Sequence, residues 1–118
     1  MEYLVVNRTR ESDIARVRAT GSFLSRALGL MFRRNLKEDE GLLIEFPVWM
    51  KKPSLHSFFM FFPIDVIFIN KNLKVVEKGL LKPWKLYSPA NESSYVLELP
   101  EGKAIKVEVD DVLEFRKL

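Results

Sequence analysis

The chain of 118 residues contains no cysteine and only one histidine, His56. Without cysteine the protein has no disulfides, no thiol nucleophile and no thiolate metal ligand. One histidine supplies too few ligands for a zinc site, and no HExxH-type spacing is present. The sequence therefore predicts a protein without a bound metal, and nothing in it indicates a cofactor.

Long apolar runs are also missing. No stretch approaches the length that a helix needs to cross a bilayer. The first twelve residues, MEYLVVNRTRES, contain an apolar run far too short for a secretory signal, with no basic residue ahead of it. We therefore expect a cytoplasmic protein with no membrane partner.

Glutamine is absent as well, whereas lysine and glutamate are abundant. This combination is typical of hyperthermophile proteins. The length fits one globular domain, residues 1–118, without repeats or linkers. The formal net charge is only +3, and the arginines before residue 35 are interpreted as a solvated surface balanced by acidic residues rather than as a phosphate-binding face.

Aromatic residues are concentrated in the stretch 55–70, LHSFFMFFPIDVIFIN. Residues 55–61 and 64–69 each predict a strand, because β-branched and aromatic residues pack well on a pleated surface. Both strands are apolar on both faces, which indicates a place in the middle of the domain. A tight turn at Phe62-Pro63 would pair them as a hairpin.

Asp65 is the one carboxylate in this apolar stretch. A buried ionised carboxylate needs partners, so Asp65 should accept hydrogen bonds from backbone N–H groups or an arginine, or be hydrated in a cleft. Two roles stay open for it, a cap of the turn at Pro63 and a catalytic carboxylate. The first is favoured, because structural carboxylates also have perturbed environments.

His56 could act as a base that Asp65 orients. In the predicted hairpin, however, Met60 lies opposite Asp65, and His56 is four residues further along the same face, about 13 Å away at the rise of a strand. A direct pair of the two therefore requires a different strand pairing. The alternative is a partly buried histidine at a strand end, hydrogen-bonded to the backbone.

A 3.6-residue period predicts one main helix over about 22–32. One face of it is apolar, and Arg26 and Arg33 share the opposite stripe with Gly29. Because Asp65 needs a cation or several donors, we expect the two arginines either to clamp that carboxylate or to line an anion-binding cleft. The glycine between them would let the strand approach closely.

Two loops carry tryptophan beside proline and lysine. The first, residues 47–53, contains Trp49 and Lys51, and the second, residues 82–85, contains Trp84. An indole beside a lysine suits stacking on a flat ligand while the ammonium group meets an anion or hydroxyls. In the alternative interpretation both indoles pack over the ends of the barrel.

Strand patterns dominate the rest of the chain. Further strands are predicted at residues 3–7, 14–18, 42–46, 73–81, 95–99 and 112–115, and a single helical turn at residues 101–106. Together with one main helix they indicate an α+β, β-rich fold. We expect a mixed or antiparallel sheet curled into a barrel-like single domain.

Four blocks of sequence together resemble a known family: RALGLMFR at 26–33, GLLIEFP at 41–47, the stretch 56–70, and YVLELPEG at 95–102. In this order they are similar to the uncharacterised family called domain of unknown function 192, over about residues 26–115. The family commonly has a basic residue where this chain has Phe61, and Gly-Asp where it has Asp110-Asp111. The resemblance implies a small β-rich fold and no established activity.

Three functions stay open. The first is a binding module without chemistry for an unidentified small molecule or protein, with these ligand-binding candidates: Arg26, Arg33, Trp49, Trp84 and Lys51. The second is a hydrolase or transferase that uses Asp65 with His56 or Arg33. The third, weak binding of single-stranded nucleic acid, ranks lowest, because neither a ribonucleoprotein-type strand motif nor a helix-turn-helix pattern is present.

Overall fold

The computed structural model describes residues 1–20 and 40–118. The strands in these ranges are β1 Glu2–Asn7, β2 Ser12–Thr20, β3 Glu40–Glu45, β4 Leu55–His56, β5 Ile64–Ile69, β6 Val75–Leu81, β7 Leu86–Tyr87, β8 Tyr95–Pro100 and β9 Leu113–Lys117. A 3-10 helix spans Lys103–Lys106. The helix predicted over 22–32, with Arg26 and Arg33, lies outside the described residues.

Seven strands form one mixed sheet in the order β6-β5-β8-β3-β2-β1-β9. The contact between β2 and β3 is parallel, and the other neighbours in this sheet are antiparallel. The two short strands β4 and β7 pair with each other as a separate sheet. The prediction of a β-rich domain with a mixed or antiparallel sheet is therefore confirmed, and the sheet is the mixed kind.

The two edges of the large sheet meet at one point. Lys74, just before β6, forms a bridge with Val112, just before β9. The N–H of Val75 donates to the Asp111 carbonyl at 2.9 Å. The sheet is therefore curled into a half-barrel, as the barrel-like prediction anticipated.

Both faces of this sheet are covered. The inner face carries a buried apolar cluster that includes Val5, Val17, Leu43, Ile67 and Leu97. The outer face carries a second cluster, including Leu42, Ile44, Val66, Phe68 and Val96. Every residue of β5 is buried, which explains why its sequence is apolar on both faces.

The hairpin predicted around Phe62-Pro63 is wrong. Leu55 and His56 pair with β7, and the two partners of β5 are β6 and β8. Between β4 and β5 the chain turns at residues 57–60, where the Met60 N–H donates to the Ser57 carbonyl at 3.1 Å. An apolar run cannot distinguish a ladder strand from aromatic residues on a turn, because both are rich in the same residue types.

Tyr87 of β7 lies across the outer face of β6, over Gly79. Its ring stacks on Phe68 at a centroid distance of 5.4 Å, and its hydroxyl donates to a carboxylate oxygen of Glu77 at 2.8 Å. A Cβ atom built on Gly79 would lie 2.5 Å from this ring. The small sheet can therefore approach the large one only because residue 79 has no side chain.

Gly79→Ala should destabilise the protein by about 2 kcal/mol, because the new methyl group displaces Tyr87 from Phe68 and Glu77. Denaturant unfolding of both proteins measures this. The matched control is a double-mutant cycle: in a Tyr87→Ala background the same glycine substitution should cost much less. An equal cost in both backgrounds would show that the Tyr87 ring is not the obstacle.

Candidate functional site

Asp65 lies on the inner face of β5 and holds the 3-10 helix across one end of the half-barrel. Its Oδ2 accepts hydrogen bonds from the N–H groups of Gly102 at 2.9 Å and Ala104 at 2.8 Å. At the other end of that helix, the Nζ of Lys78 donates to the carbonyls of Ala104 and Val107, at 3.2 and 2.8 Å. The Asp65 carboxylate lies at the N–H groups of the helix and the Lys78 ammonium group at its carbonyls. Both charges therefore interact favourably with the helix dipole.

The backbone donors expected for Asp65 are therefore present, but they do not belong to the turn at Pro63. They come from residues almost forty positions later in the chain, which no local pattern around residue 65 could indicate. A clamp by Arg26 and Arg33 lies outside the described residues. The contacts that are described make Asp65 a structural cap.

The structure does not bring His56 and Asp65 together. His56 is exposed on β4, in the outer layer, whereas Asp65 is buried on the inner side of the main sheet. The Nδ1 of His56 accepts the N–H of Phe58 at 3.3 Å, and the two rings stack with centroids 5.1 Å apart. His56 is thus a strand-end histidine bonded to the backbone, although more exposed than expected.

Trp49 and Trp84 lie in loops that leave the sheet at opposite ends. The loop with Trp84 follows Leu81, which pairs with Ile64 at the start of β5. The loop with Trp49 and Lys51 follows β3, whose last residue pairs with the first residue of β8, opposite the end of β5. These strand ends are separated by the length of β5, about 17 Å, so the two indoles belong to different surfaces.

Trp84 instead belongs to a surface that we call the aromatic ledge, formed by Phe58, Phe59, Trp84 and Leu86. These side chains are between 39% and 67% exposed. The rings of Phe59 and Trp84 meet edge to face, with centroids 4.9 Å apart. Both residues have a left-handed backbone, with φ of 64° and 60°, which is an outlier for a bulky side chain.

Ser57, which is fully buried, fastens the two loops of the ledge together. Its N–H donates to the Lys85 carbonyl at 2.9 Å, and its carbonyl accepts the Trp84 N–H at 3.0 Å. Its hydroxyl oxygen accepts the Lys85 N–H at 2.8 Å and contacts the Lys82 carbonyl. The exposed rings are therefore presented by a fixed backbone. No pattern in the sequence indicated a role for this serine, because its three partners, Lys82, Trp84 and Lys85, are distant in the chain.

The loops that build the ledge carry only positive charge. Residues 46–64 and 78–91 contain no aspartate or glutamate. Lys82 and Lys85 flank Trp84, and both are exposed. The two loops of the ledge therefore combine aromatic faces with ammonium groups and contain no carboxylate of their own.

Glu98 is a second group that sequence reasoning did not single out. It lies in β8 between Leu42 and Val66 on the neighbouring strands, and it is 7% exposed. Burial raises its pKa to about 7. The sequence did contain a signal for Glu98. A glutamate in an otherwise apolar strand requires an explanation, because charged residues are rarely buried.

Across the described ranges, 1–20 and 40–118, we found no group of three or more histidine, aspartate or glutamate residues arranged to hold a metal ion. In the same ranges no helix is long and apolar enough to cross a membrane.

Two solved structures share this fold. A crystal structure of a proposed transcription regulator from Sinorhizobium meliloti matches with a TM-score of 0.83 at 23% sequence identity, over 98% of this chain and 94% of that one. A protein of unknown function from Novosphingobium aromaticivorans matches with a TM-score of 0.79 at 20% identity, over 97% and 84%. At these identities the likeness concerns the fold alone.

Sequence relatives are closer. A UPF0127 protein of Pyrococcus furiosus is 39% identical over 97% of this chain and 99% of its own length. Another, from Pyrococcus horikoshii, is 38% identical over 95% and 98%. Their thermophilic source agrees with the thermophile-like composition of this chain. The model of domain of unknown function 192, described as "Uncharacterized ACR", matches residues 5–115. The chain therefore belongs to this uncharacterised family.

Proposed function

We propose that the protein is a binding module whose aromatic ledge recognises a planar, anionic small molecule. The observation that carries the proposal is the left-handed backbone of both Phe59 and Trp84. Such a conformation costs on the order of 1–3 kcal/mol per residue and is most often found at functional sites. Here the two strained residues are neighbours, and they are 42% and 50% exposed, so the strain presents their rings to solvent rather than to the core.

The charge of the ledge supports an anionic ligand. Lys82 and Lys85 stand on either side of Trp84 in loops without carboxylates. An indole face can stack on a flat ring while an ammonium group meets a phosphate or carboxylate. Mononucleotides combine these two features and are the ligand class that fits best.

Three finer expectations from the sequence belong to the same proposal. The main helix over 22–32 would present Arg26 and Arg33 as further anion ligands, and the protein would act in the cytoplasm. Trp49 and Lys51 would form a separate contact at the other end of the sheet. The hydrolase or transferase alternative has less support, because Asp65 is a cap and His56 lies in the outer layer.

Calorimetric titration with adenosine monophosphate should show saturable binding to the wild-type protein. Trp84→Ala should weaken that binding about tenfold or more, because stacking of a base on an aromatic ring contributes roughly 1–3 kcal/mol. Trp49→Ala is the matched control and should leave this affinity unchanged. Neutral glycans, which lack the anion, should not bind. Equal affinities for wild type and Trp84→Ala would refute the ledge as the site.

Ser57→Ala tests whether the backbone geometry matters as well as the rings. This variant keeps every aromatic side chain but loses the hydroxyl that joins Lys82 and Lys85, so affinity should fall although the chain remains folded by circular dichroism. Unchanged affinity would mean that the strained geometry has no role in binding.

Single-stranded nucleic acid is the second candidate ligand. One observation favours it: the ledge holds two ring pairs, His56 with Phe58 and Phe59 with Trp84, and so offers more than one stacking surface. A short single-stranded RNA that binds more tightly than the mononucleotide, with affinity falling steeply as salt rises, would favour this alternative. Affinity that does not depend on salt would exclude it.

A further inference from the structure

The inner face of the half-barrel ends in a cleft that is distinct from the aromatic ledge. The 3-10 helix held by Asp65 lies at one end of this face. The cleft lies at the other end, where β3 finishes at Glu45 and β8 begins at Tyr95. Its volume is about 460 Å³, within the range of about 300–1,000 Å³ that small-molecule sites occupy.

Aromatic rings form much of its wall. Tyr3, Tyr95 and Phe115 line the cleft, and each is partly buried against the inner apolar cluster. Tyr95 and Phe115 meet edge to face with centroids 5.3 Å apart, so their orientation is fixed by packing. The Tyr3 hydroxyl lies 3.0 Å from the sulfur of Met1.

The charged side chains that line the cleft, Glu45 and Glu114, are both acidic. Glu114 already accepts hydrogen bonds from Arg8 at 3.2 Å and Arg116 at 3.1 Å. The carboxylate of Glu45 has no hydrogen bond or ion pair with any other described side chain. Among the described side chains that line the cleft, Glu45 is therefore the carboxylate without a charged partner.

The Glu45 carboxylate lies close enough to the Tyr95 hydroxyl to affect its ionisation. The pKa of Tyr95 is raised by burial, and next by the negative charge of Glu45 and by Tyr3. The two phenols and the carboxylate all line the same cleft, and Glu45 and Tyr95 are opposite each other on β3 and β8. A negative charge beside aromatic faces attracts cations and repels anions.

We propose that this cleft binds an organic ammonium ion, with the charged group against the faces of Tyr3, Tyr95 and Phe115 and opposite the carboxylate of Glu45. The apolar remainder of the ligand would lie on Leu43 and Leu73, which form other parts of the wall. An inorganic cation is a poorer fit, because the cleft offers π faces and apolar groups where a small metal ion requires several oxygen ligands. The site is independent of the ledge and selects the opposite charge.

The test compares choline with 3,3-dimethyl-1-butanol, its neutral isostere of the same shape, by calorimetric titration of the intact protein. Choline should bind saturably, and the neutral isostere about tenfold more weakly or not at all, because the isostere lacks the positive charge that the aromatic faces and the Glu45 carboxylate attract. Glu45→Gln should weaken choline binding by a similar factor and leave the isostere unaffected.

Glu92→Gln is the matched control, because Glu92 is exposed and does not line the cleft. It should bind choline as the wild type does. Two results would overturn the proposal: no heat of binding with choline at millimolar concentration, or equal affinities for choline and its isostere, which would make the cleft merely apolar. Loss of adenosine monophosphate binding in Trp84→Ala with choline binding intact would show that the two sites are separate.

Discussion

Glu98→Gln should stabilise the protein by about 3 kcal/mol above about pH 8 and leave it unchanged near about pH 4. Glu98 is buried between Leu42 and Val66, which are both apolar. The part of the chain that the structure describes provides no hydrogen bond or ion pair to its carboxylate. Burial without a partner favours the protonated form, and it raises the pKa to about 7 from an ordinary 4.5.

The folded and unfolded states release the Glu98 proton at different pH values, and this determines the sign of the stability difference between the two proteins. Below the unfolded pKa of 4.5 the carboxyl group is neutral in both states and costs nothing. As the pH rises toward 7, the unfolded chain ionises while the folded chain does not, so the free energy of unfolding falls. Above the folded pKa the cost is complete, and at 1.36 kcal/mol per pKa unit it reaches about 3 kcal/mol.

Denaturant unfolding of the wild type and of Glu98→Gln across this pH range, at constant ionic strength, measures the difference between their free energies of unfolding. Other titrating groups contribute equally to both proteins and cancel. Glu92→Gln, which replaces an exposed carboxylate, should give a difference close to zero at every pH. A Glu98→Gln difference that does not change with pH would mean that this carboxyl ionises normally in the folded protein.

Local patterns in the sequence were sufficient to predict a curled, β-rich sheet, but they left open whether it is mixed or antiparallel. The apolar run 64–69 predicts a strand buried on both faces, and β5 has this position. The strand prediction for residues 55–61 was mostly wrong, because pairing depends on contacts that the run itself does not contain. Its first two residues pair with Leu86 and Tyr87, thirty positions later, and Ser57 then redirects the chain.

The roles of the small residues Gly79 and Ser57 were the hardest to predict from the sequence. Gly79 matters because of Tyr87, and Ser57 because of Lys82 and Lys85. Both sets of contacts arise from the packing of the small sheet and its loops on the large one, which no local pattern indicates. Proline and lysine beside tryptophan indicate a surface loop, and Trp84 lies half exposed in such a loop. No strand order was predicted, so the sequence could not indicate that the loops of Trp49 and Trp84 leave the sheet at opposite ends.

The departure at Asp110-Asp111 from the family's Gly-Asp has a physical explanation. Asp110 has φ of 78°, a left-handed conformation that glycine adopts freely and aspartate tolerates. This turn brings the buried Asp111 toward β1. Asp110 therefore occupies a backbone position that would also suit glycine, and Asp111 is the residue that makes the contacts.

Asp111→Ala should destabilise the protein by about 3 kcal/mol or more, because it leaves buried donors without an acceptor. The Oδ2 of Asp111 accepts from Asn7 Nδ2 at 2.8 Å, Arg10 Nε at 2.8 Å and the Glu108 N–H at 2.9 Å. Asn7 is fully buried, so water cannot replace the lost bond there. The network joins β1 to the segment where the edges of the half-barrel meet.

Glu114→Ala is the matched control, because Glu114 also accepts hydrogen bonds from two arginines, Arg8 and Arg116, but at the surface. Exposed ion pairs contribute little, so this variant should unfold close to the wild-type denaturant midpoint. Equal losses in the two variants would show that charge pairing, rather than burial of the donors, determines the effect at Asp111.

The pH dependence at Asp111 should be opposite to that at Glu98. Burial of Asp111 favours its protonated form, but hydrogen bonds from Asn7, the Glu108 N–H and Arg10 outweigh this and lower its pKa. Its stabilising contribution is fully present above the unfolded pKa of 3.8 and is lost as the pH falls through the lower folded pKa. In unfolding measurements, the difference between wild type and Asp111→Asn should therefore shrink only in strong acid, and a difference that persists there would contradict a role for the ionised carboxylate.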